Sequence, residues 1–160
     1  MKQRGTFYEY AKMTIDSIPK KVVPNRECMS LEELAICIKK EEDRNDVKRK
    51  TFEELERKLI LELRRNASNR VCTIDGFLHG MGFYHETEKN LKSNGLESNV
   101  KLWHNARYVI KKEIGTFEWH GGGGHEKVVR TNLGWNFRKI DGNIFFWYSE
   151  PIKKKKWWQL

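Results

Sequence analysis

Trp135-Asn136-Phe137-Arg138-Lys139-Ile140-Asp141-Gly142-Asn143-Ile144-Phe145-Phe146-Trp147-Tyr148 is the stretch that decides the class of this chain. Two runs rich in aromatic and β-branched residues flank Asp141-Gly142. An Asp-Gly pair reaches the positive φ angles of a tight hairpin turn at little cost, so between such runs it is the strongest short-range hairpin signal. Trp135 to Ile140 and Asn143 to Tyr148 are therefore read as paired antiparallel strands. Both faces of the second run carry large residues, so alternation does not say which face is buried. Trp135, Phe137, Phe145 and Trp147 are read as core. The same texture reaches back to Gly115 and on to Pro151, with Gly121-Gly122-Gly123-Gly124 in one loop.

Upstream the period changes from two to that of a helix. Residues 6–18 place Phe7, Tyr10, Ala11 and Ile15 on one face, and Pro19 and Pro24 bracket the connector that ends the helix. Ser30-Leu31-Glu32-Glu33 is a capping box opening a helix with the stripe Leu31, Leu34, Ala35 and Ile38. Glu41 to Lys50 is nearly all charged and is expected to be a solvated turn. Thr51-Phe52-Glu53-Glu54 repeats the capping signature ahead of Phe52, Leu55, Leu59 and Leu63. Arg64 and Arg65 in the last turn suit the helix dipole, and Asn66 to Arg70 reads as a loop. Two short helices are expected around Gly80-Met81-Gly82, closed by Asn94-Gly95. A longer one follows from Ser98 to Ile114 with Val100, Trp103, Ala106 and Ile110 inward. Helices first and a small antiparallel sheet of hairpins last, without βαβ alternation, make the class α+β. The expected organisation is a helical region over 1–70, a helix-turn and hairpin region over 71–151 and a tail over 152–160, together one compact unit.

A chain of 160 residues can bury a core without disulfides or metal, and 38% apolar against 33% charged residues excludes disorder by composition. No run of 18 apolar residues exists to span a membrane, and Met1-Lys2-Gln3-Arg4-Gly5-Thr6-Phe7 is not followed by the apolar stretch of a signal peptide. Cys28, Cys37 and Cys72 are odd in number and far apart, as reduced thiols of a cytoplasmic protein would be; neither a metal nor a cofactor is expected. Lys and Arg number 31 against 22 Asp and Glu, a net +9 spread over both halves. Such a surplus favours polyanions, because neutralising phosphates releases counterions.

Four constellations carry candidate chemistry. Phe77 to Lys92 resembles a helix-turn-helix, with Gly82 as the turn, Phe83 the first buried residue after it and Leu91 a core contact. It departs at Glu88, where an apolar residue is usual, and at Leu78, where a small one is. A winged-helix-like arrangement fits better. In it the helix ending at Ile114 offers Lys101, His104, Asn105, Arg107, Lys111 and Lys112 to a groove, and the hairpins form a wing with Lys127, Arg130, Arg138 and Lys139. Lys and Arg would hold phosphates and Asn105 could reach a base edge. This is likeness to an architecture, which does not give function.

The third constellation is Trp119-His120-Gly121-Gly122-Gly123-Gly124-His125-Glu126, with Trp103-His104-Asn105 earlier. His104, His120 and His125, with Glu118 or Glu126, have the chemistry of a divalent-metal or general acid–base site. The His-Asn pair resembles that of His-Asn-His nucleases, but their acidic partner and spacing are not visible. The fourth is Lys153-Lys154-Lys155-Lys156-Trp157-Trp158, which joins phosphate attraction to stacking surface and whose two Trp need something to dock on.

Three functions follow from these residues. The leading one is a non-catalytic nucleic-acid-binding regulatory or accessory protein. The second is a protein–protein inhibitor or adaptor, of the kind viruses and mobile elements direct at host machinery. The third is a small metal-dependent nuclease.

Overall fold

The computed structural model describes residues 6–21, 29–83, 102–120 and 125–150, and it is of class α+β. The chain forms two compact units, Met1–Leu59 and Ile60–Leu160. No helix among the described residues is long and apolar enough to cross a membrane.

The first unit begins with α1 (Phe7–Asp16), whose N-cap Thr6 accepts a hydrogen bond from the Glu9 amide at 3.2 Å. Its buried residues are Tyr8 and Ala11. Tyr10, read from the sequence as sharing one face with Phe7, Ala11 and Ile15, stays at the surface: the Lys58 ammonium donates to its hydroxyl at 2.6 Å and lies 4.7 Å from its ring centre. A phenol with a charged partner keeps its polar tip wet. Further along, Arg44 Nε donates to the Pro19 carbonyl at 2.8 Å, so the chain at Pro19, just past α1, lies beside the next helix.

That helix, α2, is continuous from Leu31 to Asn69, and three sequence expectations are corrected by it. The Ser30 cap forms as expected, accepting from the Glu33 amide at 3.1 Å. The charged stretch from Glu41 to Lys50, expected to be a turn, is helix. Charge alone does not break a helix; Gly and Pro do, and neither occurs between Leu31 and Asn69, whereas Glu, Lys and Arg are strong helix formers. Thr51, expected as a second cap, donates instead to the Val47 carbonyl four residues back at 2.7 Å, the bond of a mid-helix threonine. Asn66 and Asn69 bond in the same way to the carbonyls of Glu62 and Arg65, so the expected loop extends the helix. Leu31, Leu34, Ala35 and Ile38 are exposed, while Leu55, Leu59, Leu63 and Ala67, four apart, are buried.

The second unit contains the last turns of α2, then α3 (Ile74–Gly80), α4 (Leu102–Ile114) and four strands. Thr73 caps α3 by accepting from the Gly76 amide at 3.1 Å. After α3 the chain turns at Gly82, buried at φ 90°, as the helix-turn-helix reading required; its second helix and the start of the helix from Ser98 lie outside the described residues. Strands β1 (Gly115–His120) and β2 (His125–Thr131) form one antiparallel pair, with an irregularity between Thr116 and Phe117. β3 (Trp135–Ile140) and β4 (Asn143–Tyr148) form the other, with the bounds read from the sequence. Asp141 at φ 50° and Gly142 at φ 80° make the turn. Cys72 bonds to the far side of β4, its amide to the Phe146 carbonyl and the reverse, both at 2.8 Å. Cys72 is a buried free thiol whose titration burial pushes up, and Cys37 is a free, half-buried one.

The core of this unit comprises Leu63, Leu78, Ile110, Ile114, Val128 and Phe146, all within 2% of full burial, with Trp135 packed edge-on against Phe146 at 5.9 Å. Phe137, Phe145 and Trp147 are only half-buried, so Phe146 is the strand residue at the centre.

The junction of helix and hairpins is fixed from three directions. Asn132 donates its side-chain amide to the carbonyls of Lys112 and Glu113 at 3.0 and 2.9 Å, and its backbone amide to Ile114 O at 2.7 Å. Orphan carbonyls at the end of α4 are thereby satisfied. Gly115 turns the chain directly into β1 at φ 153°; a Cβ there would lie 2.1 Å from the Arg130 carbonyl oxygen, so the position admits no side chain without backbone movement. Glu113 accepts from Arg64 Nε at 2.9 Å, from Arg64 Nη2 at 2.5 Å and from the Trp135 indole at 3.3 Å.

Candidate functional site

Four rows run along α4, each repeating every fourth residue. Leu102, Ala106, Ile110 and Ile114 face the core, and Glu113 belongs to the row that meets Arg64 and Trp135. Trp103, Arg107 and Lys111 are half-buried, and His104, Tyr108 and Lys112 are exposed. A helix repeat near 3.6 residues places i and i+4 side chains on one face.

The half-buried row meets β2. Arg107 donates to Asp75 at 2.7 Å and to Glu126 at 3.1 Å, and Lys111 makes a short hydrogen bond to the other Glu126 oxygen. Burial pushes the Glu126 carboxyl up, but the hydrogen bond and charge of Lys111, followed by those of Arg107, outweigh it and hold the group below its ordinary value of 4.5. The Arg107 guanidinium also lies 5.5 Å from the Trp103 ring centre, and Lys111 lies 5.8 Å from Phe117. His104 packs edge-on against Trp103 at 5.0 Å.

These residues line an open groove of about 580 Å³. Thr73, Ile74 and Asp75 at the start of α3 form one end, and Gly142, Asn143 and Ile144 at the β3–β4 turn form another. The sides come from the two outer rows of α4 and from Phe117, Trp119 and Glu126 on the first hairpin. Phe117 pairs with Val128 and Trp119 with Glu126 across the strands, so these four share the hairpin face turned to α4. Tyr108 and Trp119 are each 66% exposed, and neither ring has an aromatic or cationic partner among the described residues. The four charges on the lining, Arg107 and Lys111 against Asp75 and Glu126, cancel.

No family model matches this chain, and neither does any characterised protein or solved structure.

The structure sorts the sequence-derived residues into three groups. Arg107 and Lys111 are occupied by carboxylates of their own unit. Asn105 and Lys112 on α4, Lys127 and Arg130 on β2, and Arg138 and Lys139 on β3 are exposed, and the five cations have no acidic partner among the described residues. Lys101, the run Lys153 to Lys156, Trp157 and Trp158 lie outside the described residues. The backbone sets His120 opposite His125 at the end of the first hairpin, with their side chains and the Gly121 to Gly124 loop outside the description. His104 lies on α4, and no group of three metal-binding side chains comes together among the described residues. Sequence reasoning missed Asp75, Tyr108 and Trp119 as site residues. Phe117 and Trp119 stand two apart in a strand-like run, which places both on one face, and that spacing was the available signal for an aromatic wall.

Proposed function

We propose that this protein is a non-catalytic nucleic-acid-binding accessory protein that holds phosphates through the second unit. The observation carrying this reading is the sorting of its cations. Lys112, Lys127, Arg130, Arg138 and Lys139 are exposed and have no acidic partner among the described residues, in a chain of net charge +9, where a solvated protein surface usually intersperses both signs. The order α2, bridge at Cys72, α3, α4, then β3 and β4, with Cys72 on the outer side of β4, supports the winged-helix-like plan, to which the β1–β2 hairpin is an insertion. Arg107 and Lys111 contribute to that plan as supports for the groove.

Binding to labelled duplex DNA, single-stranded DNA and RNA over a salt series tests the reading. Each phosphate contact contributes a slope of about −0.7 to −0.9 in log K against log salt. Replacing Lys112, Lys127 and Arg130 by Ala together should flatten that slope by about two units. A protein that binds none of the three polymers at physiological salt, or a triple variant with an unchanged slope, refutes it.

One observation favours the protein-partner reading. Leu31 is 86% exposed, and Leu34 and Ile38 on the same helix face are exposed as well, an apolar surface on α2 that nucleic acid would not recognise. A complex with another protein that survives high salt and is lost in Leu34→Glu would establish that reading.

A further inference from the structure

We infer that the groove beside α4 takes an unpaired base, so that the favoured polymer is single-stranded; this rests on the nucleic-acid reading above and specifies its ligand. The first observation is the state of the rings. Three aromatic side chains among the described residues are more than two-fifths exposed, and two of them, Tyr108 and Trp119, line this one groove. A large ring left in water is costly unless a partner covers it, and a nucleobase offers the matching flat face. The second observation is charge. Among the described residues the charges on the groove lining cancel, because Arg107 and Lys111 are held by Asp75 and Glu126. A phosphate therefore has no unpaired Lys or Arg to meet among the described lining residues, whereas a base brings no net charge that needs a counter-ion there.

The third observation is what surrounds the groove. Lys112 follows Tyr108 by one helical turn, and Lys139 is the cross-strand partner of Ile144 and shares its face of the second hairpin. Both are exposed. A strand whose base enters the groove would thus have cations for its flanking phosphates at the rim. The volume of about 580 Å³ falls within the roughly 300–1,000 Å³ of small-molecule pockets, enough for a nucleobase with its sugar. Duplex DNA fits this arrangement poorly, because its base faces are already stacked on one another and only its edges and phosphates are presented.

The test uses the full chain with a labelled oligothymidylate, the same oligonucleotide made abasic, and a duplex of equal length, at one fixed salt concentration. Wild-type protein should bind the oligothymidylate more tightly than the abasic strand. Trp119→Ala should weaken oligothymidylate binding about 5- to 150-fold, the range for loss of one stacked base, while leaving the duplex affinity unchanged. Tyr108→Ala should act in the same direction, and Trp119→Phe should recover part of the loss. Both rings are exposed, so the variants should retain the wild-type circular dichroism spectrum. Equal binding of the abasic and intact strands, or Ala variants that bind all three ligands as the wild type does, overturns the inference while leaving the nucleic-acid reading in place. Failure of the wild-type protein to bind any of the three overturns both.

Discussion

Glu113 gives the sharpest test of how the second unit is held together. Its carboxylate is 17% exposed and accepts three hydrogen bonds, two from Arg64 near the end of α2 and one from the indole of buried Trp135 on β3. Glu113→Ala removes both partners' acceptor. The Arg64 side chain is 45% exposed and can be rehydrated, so the lost ion pair should cost about 1 kcal/mol and not the larger figure of a buried pair. The Trp135 N–H lies in the core and is left without its acceptor, a cost of about 1–3 kcal/mol. Its bond is long at 3.3 Å, which argues for the lower end. The expected loss is about 2–3 kcal/mol, read from urea unfolding followed by Trp fluorescence. Arg64→Ala alone should cost about 1 kcal/mol, part of it from the contact of the guanidinium with the Tyr148 ring at 5.5 Å. A double-mutant cycle should give about 0.5–1 kcal/mol of coupling between Arg64 and Glu113. A Glu113→Ala loss below about 0.5 kcal/mol would refute the argument, since it would leave neither the ion pair nor the indole bond with any net contribution.

Two further predictions concern helix continuity and acid. Asn45→Pro lies in the middle of the charged stretch of α2; a helix there should lose about 3 kcal/mol and visible far-ultraviolet circular dichroism, whereas a solvated turn would accept the change with neither. For Glu126 the folded value lies below the ordinary 4.5, so its pairing with Lys111 and Arg107 contributes fully above that pH and is lost as the pH falls through the lower folded value. The stability difference between wild type and Glu126→Gln should therefore be largest near neutrality and shrink as the pH falls below 4.5; a difference that grows on acidification would reverse the sign of the argument.

The hairpin from Trp135 to Tyr148 was legible to the residue because its information is local: one dipeptide supplies both positive φ angles, and the flanking runs have no other stable use. The Ser30 cap was legible for the same reason. The middle of α2 was not, because it carries no apolar spacing and is held instead by propensity, by the Asp46–Arg49 pair at 3.7 Å and by a bond to the Pro19 carbonyl. Which basic residues pair with carboxylates was legible only in part. That α4 presents Arg107 and Lys111 on one face follows from their spacing, but the carboxylate that occupies them lies 19 and 15 residues away on a strand, and composition cannot say which charges meet. The same holds for Asn132, which closes the end of α4 from the loop before β3.

The rows of α4 separate two kinds of contribution that net charge confounds. Arg107 and Lys111 count towards the +9 of the chain, yet their charge is spent holding the first hairpin against the helix, so their loss should disturb the groove and the stability together. Tyr108 and Lys112, one position further round, are exposed and take no part in that ion-pair cluster among the described residues, so replacing them should leave stability within about 0.5 kcal/mol of wild type. Affinity should respond to the outer row in two distinguishable ways. Lys112, as a phosphate contact, should change the salt slope, and Tyr108, as a stacking surface, should change affinity at every salt concentration by the same factor. A surface whose cations alone mattered would show only the first response.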